Sequence, residues 1–164
     1  MEVRYTNFEL DPKIYGKNEL CGVLDKDGNF INNTIYDIRR VTFKGYLPVK
    51  WFLKLGIPKK NKELINIIIG ELELRKELLN RKISTLSESE LLKVLLTKLL
   101  ISDVKTIILS TLDSALTWND INQVLKISKK YIKETNKTLI FEANKIDYIV
   151  NHADRFIITE DDNI

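Results

Sequence analysis

The sequence predicts an α/β fold, a parallel sheet flanked by helices. Two observations predict it. Short apolar runs that do not alternate (Leu20–Leu24 and Thr106–Leu109, then Thr138–Phe141) read as strands buried on both faces, the pattern of a parallel sheet. Between them the apolar residues recur at helical spacing, so the C-terminal half runs strand, helix, strand, helix, strand, which implies right-handed crossovers. The chain of 164 residues is long enough for one domain with a real core, and no linker, repeat or low-complexity stretch divides it.

Taken in order, Val3 to Leu10 reads as a strand closed by the Asp11-Pro12 turn, and Leu20–Leu24 as a compact apolar strand. Asp25 to Asn29 has the composition of a turn. Trp51 to Leu55 reads as a short helix ended by Gly56, Pro58 opens another, and Lys62 to Asn80 is helical by pattern with a possible break at Gly70. Ser87 and Glu90 form a capping box, after which Leu91, Leu92, Leu95, Leu96 and Leu99 make one apolar stripe that Asp103 ends. Trp118 to Glu134 is a long helix with Ile121, Val124, Leu125, Tyr131 and Ile132 inward. Asn144 caps a brief helix through Val150, and Arg155 to Thr159 is the last strand.

Composition narrows the function classes. The net charge of +3 comes from 26 basic and 23 acidic residues, too even a balance to argue for nucleic acid. Cys21 is the only cysteine, so no internal disulfide forms and a reducing, cytoplasmic setting fits. The N-terminus lacks a secretory apolar segment, and Leu91–Ile101 is too short and too charged to span a bilayer. Any membrane association therefore runs through a partner. Abundant Ile, Lys and Asn suggest an AT-rich, bacterial genome.

Several fragments stand at positions where a nucleotide would be handled. After the Leu20–Leu24 strand, a phosphate loop would need close-approach glycines, a lysine and a hydroxyl for magnesium. The stretch Asp25-Lys26-Asp27-Gly28-Asn29-Phe30-Ile31-Asn32 keeps one glycine, puts Ile31 at the lysine and Asn32 at the hydroxyl, and adds two carboxylates that repel phosphate. By itself it reads as a hairpin turn. Asp25, Asp27 and Asn29 alternate as in a calcium loop, but Tyr36 occupies the place of the bidentate glutamate and the glycine is out of step.

The order of five further fragments carries a resemblance. Gly45-Tyr46-Leu47-Pro48, Leu86-Ser87-Glu88-Ser89-Glu90, Ile107 through Thr117 with its Ser114-Ala115-Leu116, Leu139 through Asp147, and Ala153-Asp154-Arg155 succeed one another as do the motifs of ABC-transporter ATPase domains. A terminal Asp161-Asp162-Asn163-Ile164 resembles that family's last hairpin. The resemblance covers almost the whole chain and implies a P-loop NTPase-like core with reduced β and helical subdomains. It also implies losses. Val49 stands where the Q-loop glutamine would follow the proline, and Glu88 and Ser89 replace the signature glycines. Ser110 and Thr111 replace the Walker B aspartate and the catalytic glutamate, Thr117 the D-loop aspartate, and Asn144 the H-loop histidine. His152, the only histidine, lies one helix further on and reads as a helix-end imidazole.

The expectation is a pseudo-ATPase with no catalytic, cofactor or metal residues, because serine and threonine make no general base near neutral pH. It would act as a non-catalytic subunit or regulator of an ABC-type transport complex, peripheral on the inner face of the cell membrane. Its partner would be a transporter membrane subunit, an active ABC ATPase, or a second copy of itself. The family receives a helix of its membrane subunit near the Q-loop, which points to Tyr46, Val49, Trp51 and Phe52 as partner-binding residues; Trp51 and Phe52 read equally well as core. Two alternatives stand beside this reading. One is a divergent nucleotide-binding enzyme using Asp25, Asp27, Asp113 or Glu142. The other is a free-standing adaptor from a mobile element, whose Lys59, Lys60, Lys62 and Lys129, Lys130, Lys133 are solvated helix faces.

Overall fold

The computed structural model describes residues 2–24, 39–40, 45–110 and 116–159. Among these residues six strands form one sheet: β1 (Glu2–Thr6), β2 (Leu20–Leu24), β3 (Arg39–Arg40), β4 (Thr106–Ser110), β5 (Thr138–Ala143) and β6 (Arg155–Ile158). Their order is β3-β1-β4-β5-β2-β6. β4, β5, β2 and β6 are parallel, with Leu109 opposite Phe141 and Val23 opposite both Glu142 and Ile157. β1 runs antiparallel to β4, Val3 facing Leu109, and β3 pairs antiparallel outside it. The sheet is thus parallel through its middle and mixed at one edge. Every residue of β4 is buried, as its unbroken apolar run requires, whereas β6 at the far edge alternates.

Among the described residues six helices accompany the sheet: α1 (Pro12–Tyr15), α2 (Val49–Lys54), α3 (Leu64–Glu71), α4 (Glu88–Ile101), α5 (Trp118–Glu134) and α6 (Ile146–His152). α4 has the expected capping box. The Ser87 hydroxyl accepts from the Glu90 N–H, and the Glu90 carboxylate accepts from the Ser87 N–H at 2.8 Å. Its burial is wider than one stripe, because Val94, Thr97, Leu100 and Ile101 are buried too. The cause is its position: α4 packs on β1 and is covered by α2, α3 and α5. α5 has the bounds its periodicity predicts, and all five inward residues are buried. Thr117 caps it, its hydroxyl accepting from the Asp120 N–H and donating to Asp120 Oδ2 at 2.7 Å.

The structure departs from the sequence pattern in four places. The first strand stops at Thr6 rather than Leu10, and Asp11-Pro12 opens the four-residue α1, with Asp11 as its cap, instead of making a turn. The helical pattern of Lys62 to Asn80 is cut into α3 and a 3-10 turn at Lys76–Asn80; the break falls at Leu72–Glu73, where Glu73 takes φ 56°, not at Gly70. Pro58 opens only a 3-10 turn, Lys59–Asn61. Lys145 rather than Asn144 stands at the N-cap of α6, and β5 continues to Ala143.

The two faces of the sheet differ. Leu20, Leu109, Leu139 and Phe141 join the helices in the main core. Cys21, Val23, Ile108 and Ile140 point the other way and pack with Tyr15 of α1. Gly22 sits under α6, where an added Cβ would lie 2.9 Å from Ile149 Cγ2 and 3.1 Å from Phe141 Cζ. Only glycine lets that helix approach the strand so closely.

Candidate functional site

In an open parallel sheet, ligands sit in the crevice beyond the carboxyl ends of the strands. Here the central strand β4 brings Ser110 to that edge, 8% exposed. Beside it, near the end of β5, is Glu142, a carboxylate only 4% exposed. The phosphate-loop stretch from Asp25 to Asn32 with Tyr36, and likewise Thr111, Asp113, Ser114, Ala115 and the fragment beginning at Asp161, lie outside the described residues. Among the described residues no group of three His, Cys, Asp or Glu side chains is placed to hold a metal ion.

A second region is the outer face of α2. The Pro48–Lys82 bridge, with Ile83 N–H donating to Leu47 and Val49 N–H to Arg81, ties the Gly45–Pro48 stretch to the turn ahead of α4. At its other end, Lys98 of α4 donates to the Phe52 and Leu55 carbonyls at 2.7 and 2.6 Å, and its ammonium lies over the Phe52 ring. Burial holds the Lys98 pKa below the usual lysine range. Anchored so, α2 turns Val49, Phe52 and Leu53 into the core. Tyr46, Trp51 and Leu55 are left 65%, 62% and 62% exposed. Of the four partner-binding residues expected from the sequence, Tyr46 and Trp51 are on the surface, while Val49 and Phe52 are buried and out of a partner's reach.

A cleft of about 810 Å³ between the end of α3 and α5, lined mostly by polar and charged side chains, is not legible in the sequence, because its walls come from segments far apart in the chain. Glu71 meets Lys130 across it at 2.6 Å, and Lys93 reaches Asp120 at 2.8 Å at its edge. The hydrogen bond from Lys93, with those of Thr117, holds the Asp120 carboxyl below its ordinary pKa. His152, the last residue of α6, lies 2.5 Å from Asn122 Oδ1, and burial with the nearby Lys129 charge keeps its pKa low.

No protein-family model matches the sequence, and no curated protein matches it. Solved structures do match. An ATP-binding subunit of an ABC transporter superposes with TM-score 0.70 at 11% identity, over 98% of this chain and 86% of that one. The protein cbiO1 from Clostridium perfringens, part of the ABC transporter complex cbiONQ, gives 0.62 at 12% identity, over 95% and 83%. MJ1267, an ATP-binding cassette of an ABC transporter in its ADP conformation, gives 0.61 at 14%, over 96% and 87%. The chain has an ABC-ATPase fold. At these identities the likeness is one of fold.

Within the ABC-ATPase fold, several fragments singled out in the sequence have local structural work. Ser87 and Glu90 make the capping box, and Arg81 pairs with Glu90 at 3.2 Å. The Ser87 N–H bond leads the effects that lower the Glu90 pKa. Thr117 caps α5. Asp154 accepts from the Leu20 N–H and from Lys129 Nζ at 2.6 Å, while Arg155 reaches Glu19 at 3.1 Å, so this fragment ties the start of β6 to β2 and α5. Burial would raise the Asp154 pKa, but these donors bring it below the ordinary value. Asn144 is exposed at the end of β5. Among the described residues no helix is long and apolar enough to cross a membrane.

Proposed function

We propose that this chain is an ABC-ATPase-like protein that does not hydrolyse ATP and that serves an ABC-type transport complex as a non-catalytic subunit or regulator. The observation that carries the proposal is Ser110. The central strand of an ABC-ATPase fold ends here in a hydroxyl, which neither holds a divalent cation as a carboxylate does nor removes a proton from water near pH 7. The residues at the phosphate-loop, Q-loop and H-loop positions of the resemblance point the same way, since none supplies the lysine, glutamine or histidine. What remains is a surface for proteins, and on it Tyr46 and Trp51 contact the partner, a transporter membrane subunit or an active ATPase.

The test is nucleotide binding and turnover by the purified chain. Equilibrium dialysis is expected to show no magnesium-dependent ATP or GTP binding at millimolar nucleotide, and phosphate release is expected to stay at the buffer rate. Turnover abolished by Ser110→Ala would overturn the proposal. A second reading, a divergent nucleotide-binding protein, draws on Glu142, whose buried carboxylate neighbours Ser110 on the adjacent strand. Tight magnesium-dependent binding lost in Glu142→Gln would establish that reading instead.

A further inference from the structure

The outer face of α2 carries two parallel rows. Trp51 and Leu55 form an apolar row and Lys50 and Lys54 a basic one, each at the i,i+4 spacing that places side chains one above the other. The Leu55 N–H still donates to the Trp51 carbonyl at 3.1 Å, so the helical spacing holds to the end of both rows. The charge around them is one-sided. From Lys50 to Lys62 the chain has five basic side chains and no acidic one. The whole chain's net charge is only +3, so the remainder is net acidic and the positive charge is concentrated here. Lys59, Lys60 and Lys62 are exposed beyond the Gly56 turn, and Lys82 is exposed beside Pro48. Among the described residues none of these six lysines forms an ion pair; Lys50 donates only to the Asn80 amide oxygen, at 3.1 Å.

We infer that the α2 face docks an acidic amphipathic helix, one whose apolar row packs on Trp51 and Leu55 and whose flanking carboxylates face Lys50 and Lys54. The inference rests on the reading above that Tyr46 and Trp51 contact a protein partner, and it adds that partner's chemistry. An exposed tryptophan on a helix that also exposes two lysines is the composition of an interface anchor, with large apolar area at the centre and complementary charge steering the approach. The paired rows favour a helix, which can match their spacing in register; a lipid surface or a polynucleotide needs no such register. Glu77, exposed on the turn packed against α2, and Glu63 at the end of the lysine run would repel a broad polyanion but leave room for a narrow helix.

The test uses the full chain and two labelled synthetic helical peptides that share one Leu row, one flanked by Glu and the other by Lys, with binding followed by fluorescence anisotropy. The Glu peptide is expected to bind and to weaken as salt rises. Trp51→Ala is expected to weaken it tenfold or more, and Lys50→Glu with Lys54→Glu to reverse the preference toward the Lys peptide. These positions are exposed, so far-ultraviolet dichroism serves to confirm that each variant folds. Equal binding of the two peptides, binding of neither, or tighter binding of phosphatidylglycerol vesicles or a single-stranded DNA oligomer would overturn the inference. A photo-crosslinker at position 51 in the native host separates it from the functional proposal. A crosslink to a non-acidic segment of a transporter subunit sinks the inference and leaves the function standing. A crosslink to an acidic helix of a protein unrelated to transport does the reverse.

Discussion

Lys137 lies at the turn into β5, 3% exposed, and gives its ammonium to the carbonyls of Ser102 and Val104, the latter at 2.8 Å. Burial pushes its pKa down to about 8, below its ordinary 10.5. Between those values the unfolded chain holds more protons than the folded one, so this group makes stability rise with pH across that window. Cys21 acts in the opposite sense at higher pH, its thiol pushed up to about 11 by burial, so the Lys137 contribution is isolated against a Lys137→Met variant. Urea midpoints at pH 7 and pH 10 are expected to show the parent gaining on the variant by on the order of 1–2 kcal/mol as pH rises. A difference that stays flat, or shrinks, would mean the ammonium is better hydrated than its burial implies. No sequence pattern announces such a lysine. Its neighbours Thr135, Asn136 and Thr138 read as an ordinary polar turn, and the carbonyls it satisfies belong to a loop more than thirty residues earlier.

At the scale of elements, legibility followed how far each one depends on its own pattern. α5 was readable to the residue because Thr117 caps it and its apolar face keeps period 3.6 over four turns. α4 was readable in extent but not in burial, since a capping box fixes where a helix starts and says nothing about how many neighbours cover it. The Lys62–Asn80 stretch reads as helix because its apolar residues recur at helical spacing and no proline interrupts them, and only the tertiary fold decides that Glu73 takes a left-handed conformation there. At the candidate site, Ser110 and Glu142 were placed by the strands that contain them. The α2 face was half legible: four residues were named, and the helix phase that buries Val49 and Phe52 was set by contacts with α4 that no local pattern records. Gly22 looked like one more small residue in an apolar strand. Its place under α6 predicts that Gly22→Ala pushes Ile149 outward and costs about 1–3 kcal/mol, measured by chemical denaturation. An Ile149→Ala background, which removes both atoms in contact, in which Gly22→Ala costs less would identify the α6 contact as its source.

For the whole molecule, the sheet is the unit that opens or stays closed. Cys21 is fully buried on β2, between β5 and the edge strand β6 and packed with Tyr15 of α1, so its sulfur is bared only when these neighbours part. With its thiol held protonated, it is expected to resist iodoacetamide at pH 8 and to react once in full in denaturant. The labelled fraction, followed by mass against urea concentration, is expected to track the loss of secondary structure. Rapid labelling in the absence of urea would show that β2 parts from its neighbours without global unfolding.

The pairing of β1 has a consequence for how the protein is made. Val3 finds its place only against Leu109, so β1, which β3 borders at two residue pairs, has its other edge unpaired until β4, about a hundred residues on in the chain, has been made. Such distant pairing carries a large loop-closure entropy and slows assembly. Until the two strands meet, β4 offers an unprotected margin to any extended peptide nearby, a hazard during folding that ends when β1 seals it.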